Sequence, residues 1–184
     1  MFTKLTAVAT ATLTAFALTA AAPAQANVFE NHRELLSAIE SVGVSTYINP
    51  SQVCDGTING AYISSARALV VCQDNSTPDG PEVQWTANDL DTLRHEAQHL
   101  IQDCVDGGVG DNALAPLFDT DDQLIEYINN SSLTAEQIQR IIDVYTERGA
   151  DAHVLRLELE AFVTATDISA DRIATVLTTV CSAN

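Results

Sequence analysis

The sequence predicts an α+β domain, mostly helical, with one small antiparallel β-hairpin set ahead of a long helix. Three observations predict it. Apolar residues recur at helical spacing through most of the chain; residues 44–72 break that pattern with glycines and the apolar run Ala68-Leu69-Val70-Val71; and no repeat, low-complexity tract or Pro-rich linker divides what remains.

The first 26 residues are set apart from that domain. Lys4 precedes an apolar Ala/Thr/Leu run from Leu5 to Ala22, followed by Ala24-Gln25-Ala26. Small residues at the −3 and −1 positions suit a signal peptidase, and the run is short and Thr-rich for a membrane anchor. Residues 1–26 therefore read as a signal peptide, and 27–184 as a single domain exported to the periplasm or the exterior.

Each element has a local cause. Leu35, Leu36 and Ile39 sit at helical spacing between Phe29 and Val42, and Gly43 ends that helix. A hairpin turning near Ser64-Ser65 occupies the later part of 44–72, and Asp74 to Pro81 is loop by composition. N-cap residues cluster between Thr86 and Asp89, so a helix starts there and runs to about Cys104, where the Gly-rich 106–111 segment breaks it. Four more helices follow at about 119–129, 134–148, 151–166 and 169–182, with Thr134 and Gln137 forming a capping box and Gly149 a stop. Trp85 reads as a packing residue.

Charge narrows the partners. Without Lys4, the only lysine, seven arginines face 25 acidic residues, a net charge of −18 for 27–184. Nucleic acid and anionic membrane surfaces need basic patches, so neither is expected as a partner. The four cysteines, all beyond residue 26, read in an exported chain as two disulfides with three possible pairings. Cys54–Cys72 and Cys104–Cys181 are preferred, because each joins neighbouring or terminal elements.

The helix from Thr86 carries His95-Glu96-Ala97-Gln98-His99, an HExxH. Two histidines four apart stand one above the other on a helix, so both imidazoles can bind one zinc ion. Glu96, the next residue round, is placed to take a proton from water beside the metal without being a ligand. A third ligand must come from elsewhere. Val105 stands where a third histidine would be needed in the metzincin arrangement, which is excluded; Asp106 and His153 are weaker candidates. Glu158 has Val154, Leu155, Ala161 and Phe162 around it on a helix, and a carboxylate in an apolar stripe needs a neutralising partner. Glu160 points about 200° away and has Arg156 one turn before it, as an exposed ion-pair member would. Glu158 is preferred over Glu160; an ion pair between Glu158 and Arg94 is the competing explanation.

HEAQH followed downstream by Glu158-Leu159-Glu160-Ala161 resembles the zincin metallopeptidases of the gluzincin type. The resemblance implies a zincin-like fold, a secreted enzyme hydrolysing peptide or protein substrates, His95, His99 and Glu158 as zinc ligands, and Glu96 as general base. It also implies a substrate laid along an edge strand, with Ala68–Val71 as the candidate. Phe162 stands where such proteins commonly have an Asp that supports a ligand; Asp91 or Asp103 could take that role, although both read more simply as surface acids. Tyr62, Tyr127, Tyr145 and His153 are equal candidates for a transition-state stabiliser. The alternative reading is a secreted, non-catalytic binding or structural domain stabilised by disulfides.

Overall fold

The computed structural model describes residues 8–9 and 24–182, with side chains from Glu30 onward. Most of the expected signal segment, 1–26, lies outside the described residues. Four short strands and six helices follow in the order β1 (Val8–Ala9), α1 (Ala24–Ser41), β2 (Ser45–Ile48), β3 (Gly60–Ile63), β4 (Ala68–Val71), α2 (Ala87–Asp106), α3 (Asp121–Asn129), α4 (Ala135–Glu147), α5 (Ala152–Asp167) and α6 (Ala170–Cys181). The α+β, mostly helical architecture is as expected.

The hairpin forms where the apolar run Ala68–Val71 predicts it. β3 and β4 pair antiparallel, Tyr62 opposite Leu69, around a 3-10 turn at Ser64–Ala66. Arg67 closes that turn in the left-handed region, φ +48°, with its N–H donating to the Ser64 carbonyl. The sheet is larger than the hairpin, in the order β1-β3-β4-β2, because β2 adds in parallel to β4. Four residues of alternating exposure, Ser-Thr-Tyr-Ile, carry too little apolar signal to announce a strand. This order corrects the expectation that Ala68–Val71 offers an open edge. β4 is central, paired on both sides and buried at all four positions.

Helix starts follow side-chain chemistry. Thr86, Thr120 and Thr134 cap α2, α3 and α4 in capping boxes with Asp89, Gln123 and Gln137, each satisfying backbone donors that a helix leaves free. Gly43 (φ +82°) and Gly149 (φ +84°) end α1 and α4 in conformations that favour glycine.

α2 is the central helix, packed on β3 and β4 and against α5 and α6. Its apolar stripe, Leu93, Ala97, Leu100 and Ile101, joins Leu35 and Ile39 of α1, Leu69 and Val71 of β4, and Ile173 and Leu177 of α6 in the main core. Trp85 packs against its margin. A smaller cluster, Ile141, Tyr145 and Leu159, ties α4 to α5. Both preferred disulfides are present: Cys54–Cys72 anchors the loop after β2 to the end of β4, and Cys104–Cys181 fastens the end of α2 to the end of α6.

Candidate metal centre

His95 and His99 stand one turn apart on α2, their rings 4.8 Å apart and nearly perpendicular. Glu158 reaches them from α5. Its Oε2 is 3.2 Å from His95 Nε2 and 3.6 Å from His99 Nε2, and the two Nε2 atoms are 3.1 Å apart. Tetrahedral zinc with ligand bonds of about 2.0–2.1 Å requires donor atoms separated by roughly 3.3 Å. The three donors form that triangle, and the group meets the spacing needed to hold a metal ion.

Two orphaned atoms bear on the fit. Glu158 Oε1 and His95 Nδ1 are buried and have no hydrogen-bond partner among the described residues. Arg94 does not neutralise Glu158; it bonds Asp91, His32 and the Ala165 carbonyl instead. Burial pushes the Glu158 carboxyl up, but the adjoining His99 and His95 outweigh burial and hold it well below its ordinary range. Burial pushes His99 down, while the charge and hydrogen bond of Glu158, with Glu96 adding, raise it. Without a metal the cluster therefore holds itself together with a proton, which a cation would replace.

Glu96 is fully buried on the same helix. β3 passes directly alongside: a Cβ at Gly60 would lie 2.5 Å from Thr92 Cγ2, 2.7 Å from the Val70 carbonyl oxygen and 3.2 Å from Glu96 Cγ. Only glycine permits this approach. Phe162 meets the His95 ring edge to face at 4.5 Å, so packing braces His95 where a carboxylate could have bonded it.

Two carboxylates contradict their sequence readings. Glu160 is not an exposed partner of Arg156: it is fully buried and accepts from Gln102 Nε2 and from the backbone N–H groups of Leu117 and Phe118. Arg156 instead pairs with Asp121 and donates to the Phe118 carbonyl. Asp103 is not a surface acid either; it is buried and accepts from Tyr62 Oη, Ser64 Oγ and the Gly110 N–H. Asp91 is the Arg94 partner. Of the proposed stabilisers, Tyr62 is committed to Asp103, Tyr127 to Thr164, and exposed His153 to the Leu114 carbonyl, while Tyr145 is buried with its ring against Phe162. Gln102, which bonds His99, carried no sequence signal: a glutamine three residues along a helix is usually a solvated side chain.

No protein-family model, no curated protein and no solved structure matches the chain.

Proposed function

We propose that the chain is an exported zinc-dependent peptidase in which His95, His99 and Glu158 hold the metal and Glu96 is the general base. The observation that carries this reading is the donor triangle, with edges of 3.1–3.6 Å, assembled from residues 63 apart in sequence. Zinc held there would lower the pKa of water to about 7 and polarise a peptide carbonyl. In this reading Glu96 takes the proton of the attacking water on its carboxylate and returns it to the leaving amine nitrogen.

In this reading the sheet would offer substrate a place. β3 has β4 on one side, and on the other pairs with Val8–Ala9 at Tyr62 and Ala61. Those two residues belong to the segment read as a signal peptide. Cleavage after Ala26 leaves the edge of β3 bare, and an extended peptide adding there would run beside Glu96. Two disulfides fit maturation in an oxidising compartment, and no helix among the described residues is long and apolar enough to cross a membrane.

One observation favours a second reading. His95, Glu96, His99 and Glu158 are at most 2% exposed, the closed surroundings of a structural metal. There the metal and disulfides stabilise a non-catalytic binding domain. Glu96→Gln separates the two in the secreted form: zinc content stays at about one per chain, and hydrolysis of a peptide library falls at least ~10²-fold. A zinc-loaded chain with Glu96 intact that cleaves no peptide supports the second reading.

A further inference from the structure

Three residues beyond His99, α2 carries a glutamine with no exposed surface. Gln102 Oε1 lies 2.7 Å from His99 Nδ1, and Gln102 Nε2 lies 3.0 Å from both the Leu157 carbonyl oxygen and Glu160 Oε2. A backbone carbonyl and a carboxylate accept hydrogen bonds. The amide nitrogen must therefore face them, and the amide oxygen must face the histidine. An amide oxygen cannot donate, so Nδ1 of His99 carries the proton. In the neutral form of His99, the one a metal binds, that leaves the Nε2 lone pair directed at Glu158 and His95.

Glu160 is itself fixed from outside α5. The Leu117 and Phe118 N–H groups donate to its two oxygens at 2.9 and 3.4 Å. The chain of bonds runs from that loop through Glu160 and Gln102 to His99. His95 has no equivalent: its Nδ1 has no hydrogen-bond partner among the described residues, and Phe162 steadies its ring. One ligand is oriented by hydrogen bonding and the other by packing.

We infer that Gln102 is a positioning residue of the metal centre, fixing the metal-binding tautomer of His99, with Glu160 and the Leu157 carbonyl fixing the orientation of its amide. The inference rests on the zinc reading above and assigns Glu160, the alternative third ligand, a different task. Outer partners of this kind change metal affinity by about 10–100-fold when removed.

The test compares the full chain with Gln102→Met and Gln102→Glu. Zinc dissociation constants come from competition with a chromophoric chelator, and the protonated nitrogen of His99 from ¹⁵N-histidine NMR of the zinc-loaded protein. The wild type should show its proton on Nδ1 and zinc on Nε2. Gln102→Met should weaken zinc about 10–100-fold with an unchanged metal-free circular dichroism spectrum. Gln102→Glu keeps an acceptor for Nδ1–H and, protonated, a donor for Glu160, so it should recover affinity to within about fivefold of wild type. Zinc bound equally tightly by Gln102→Met overturns the inference and leaves the zinc reading intact. A wild-type spectrum with the proton on Nε2 and the metal on Nδ1 also overturns it, and decides the matter even if Gln102→Met fails to fold. A wild-type chain that binds no zinc overturns both.

Discussion

Glu158 is a buried carboxylate whose partners in the cluster are His95 and His99, since the arginine of α2 bonds elsewhere. A carboxylate kept from water costs several kcal/mol unless it is neutralised. A proton on His99, which the adjoining Glu158 raises to about 9, can do this at neutral pH, and a divalent cation could replace that proton. Elemental mass spectrometry should therefore find about one zinc per wild-type chain and close to none in His99→Ala or Glu158→Ala. Full zinc retained in Glu158→Ala would remove Glu158 from the ligand set. The three donors of the triangle are legible in the sequence because their signals are local. Two histidines one turn apart need only a helix, and the apolar surroundings of Glu158 on its own helix mark it as buried. Glu160 and Asp103 were misread for the opposite reason. Their partners, the Leu117 and Phe118 N–H groups and the hydroxyls of Tyr62 and Ser64, arrive from distant loops and strands that no helical spacing can announce.

At the scale of elements, the approach of α2 to β3 governs the centre. Gly60 is where the two meet, with Thr92 and Glu96 on one side and the Val70 carbonyl on the other. The backbone oxygen cannot rotate away as a side chain can, so an added methyl group must push the helix and strand apart. Gly60→Ala should cost about 1–3 kcal/mol in chemical denaturation, and in the peptidase reading should also lower turnover, because the displaced contact includes the general base. A loss below about 0.5 kcal/mol would show that the packing yields more easily than this geometry implies. The helices after α1 are legible in the sequence to within about two residues because caps and periodicity are encoded beside one another, Thr86, Thr134 and Gly149 being examples. By contrast, α1 starts at Ala24, ahead of the expected Phe29. The sheet was read only in part. β2 joins β4 in parallel across more than twenty residues, its pairing fixed by the intervening loop and the Cys54–Cys72 crosslink rather than by its own four residues. That crossing turns Ala68–Val71 from an edge into the centre and makes β2 an outer strand of the sheet.

Across the whole molecule, charge is unbalanced far beyond what its ion pairs offset. Seven arginines face 25 acidic residues after residue 26, and the pairs Arg33–Glu30, Arg140–Glu136 and Arg156–Asp121 each involve at least one well-exposed partner. Pairs of that kind contribute about 0–1 kcal/mol, so net repulsion opposes the compact state. Added salt screens it, shortening the Debye length from about 30 Å at 0.01 M to about 10 Å at 0.1 M. Acid acts in the same direction as the net charge falls toward the sequence pI of about 4.2. Asp103 reinforces this: burial raises its carboxyl above the ordinary value, against the hydrogen bonds from Tyr62, Gly110 and Ser64. For a folded-state pKa that is raised, the native chain keeps a proton the unfolded chain has released. The stability this contributes is fully present below the ordinary carboxylate value and is lost as pH climbs through the folded one. Asp55 and Asp79 are shifted down and oppose this only below that ordinary value. The metal-stripped chain should therefore melt higher at about 0.5 M than at about 0.01 M salt, and higher near pH 5 than near pH 8. Each ~1 kcal/mol appears as roughly 2–4 °C in a chain of this size. Scanning calorimetry in chelator decides it. A melting temperature that falls with salt would mean attractive pairs outweigh repulsion, and one that falls steadily from pH 8 to 5 would mean that buried groups other than Asp103 govern the acid limb.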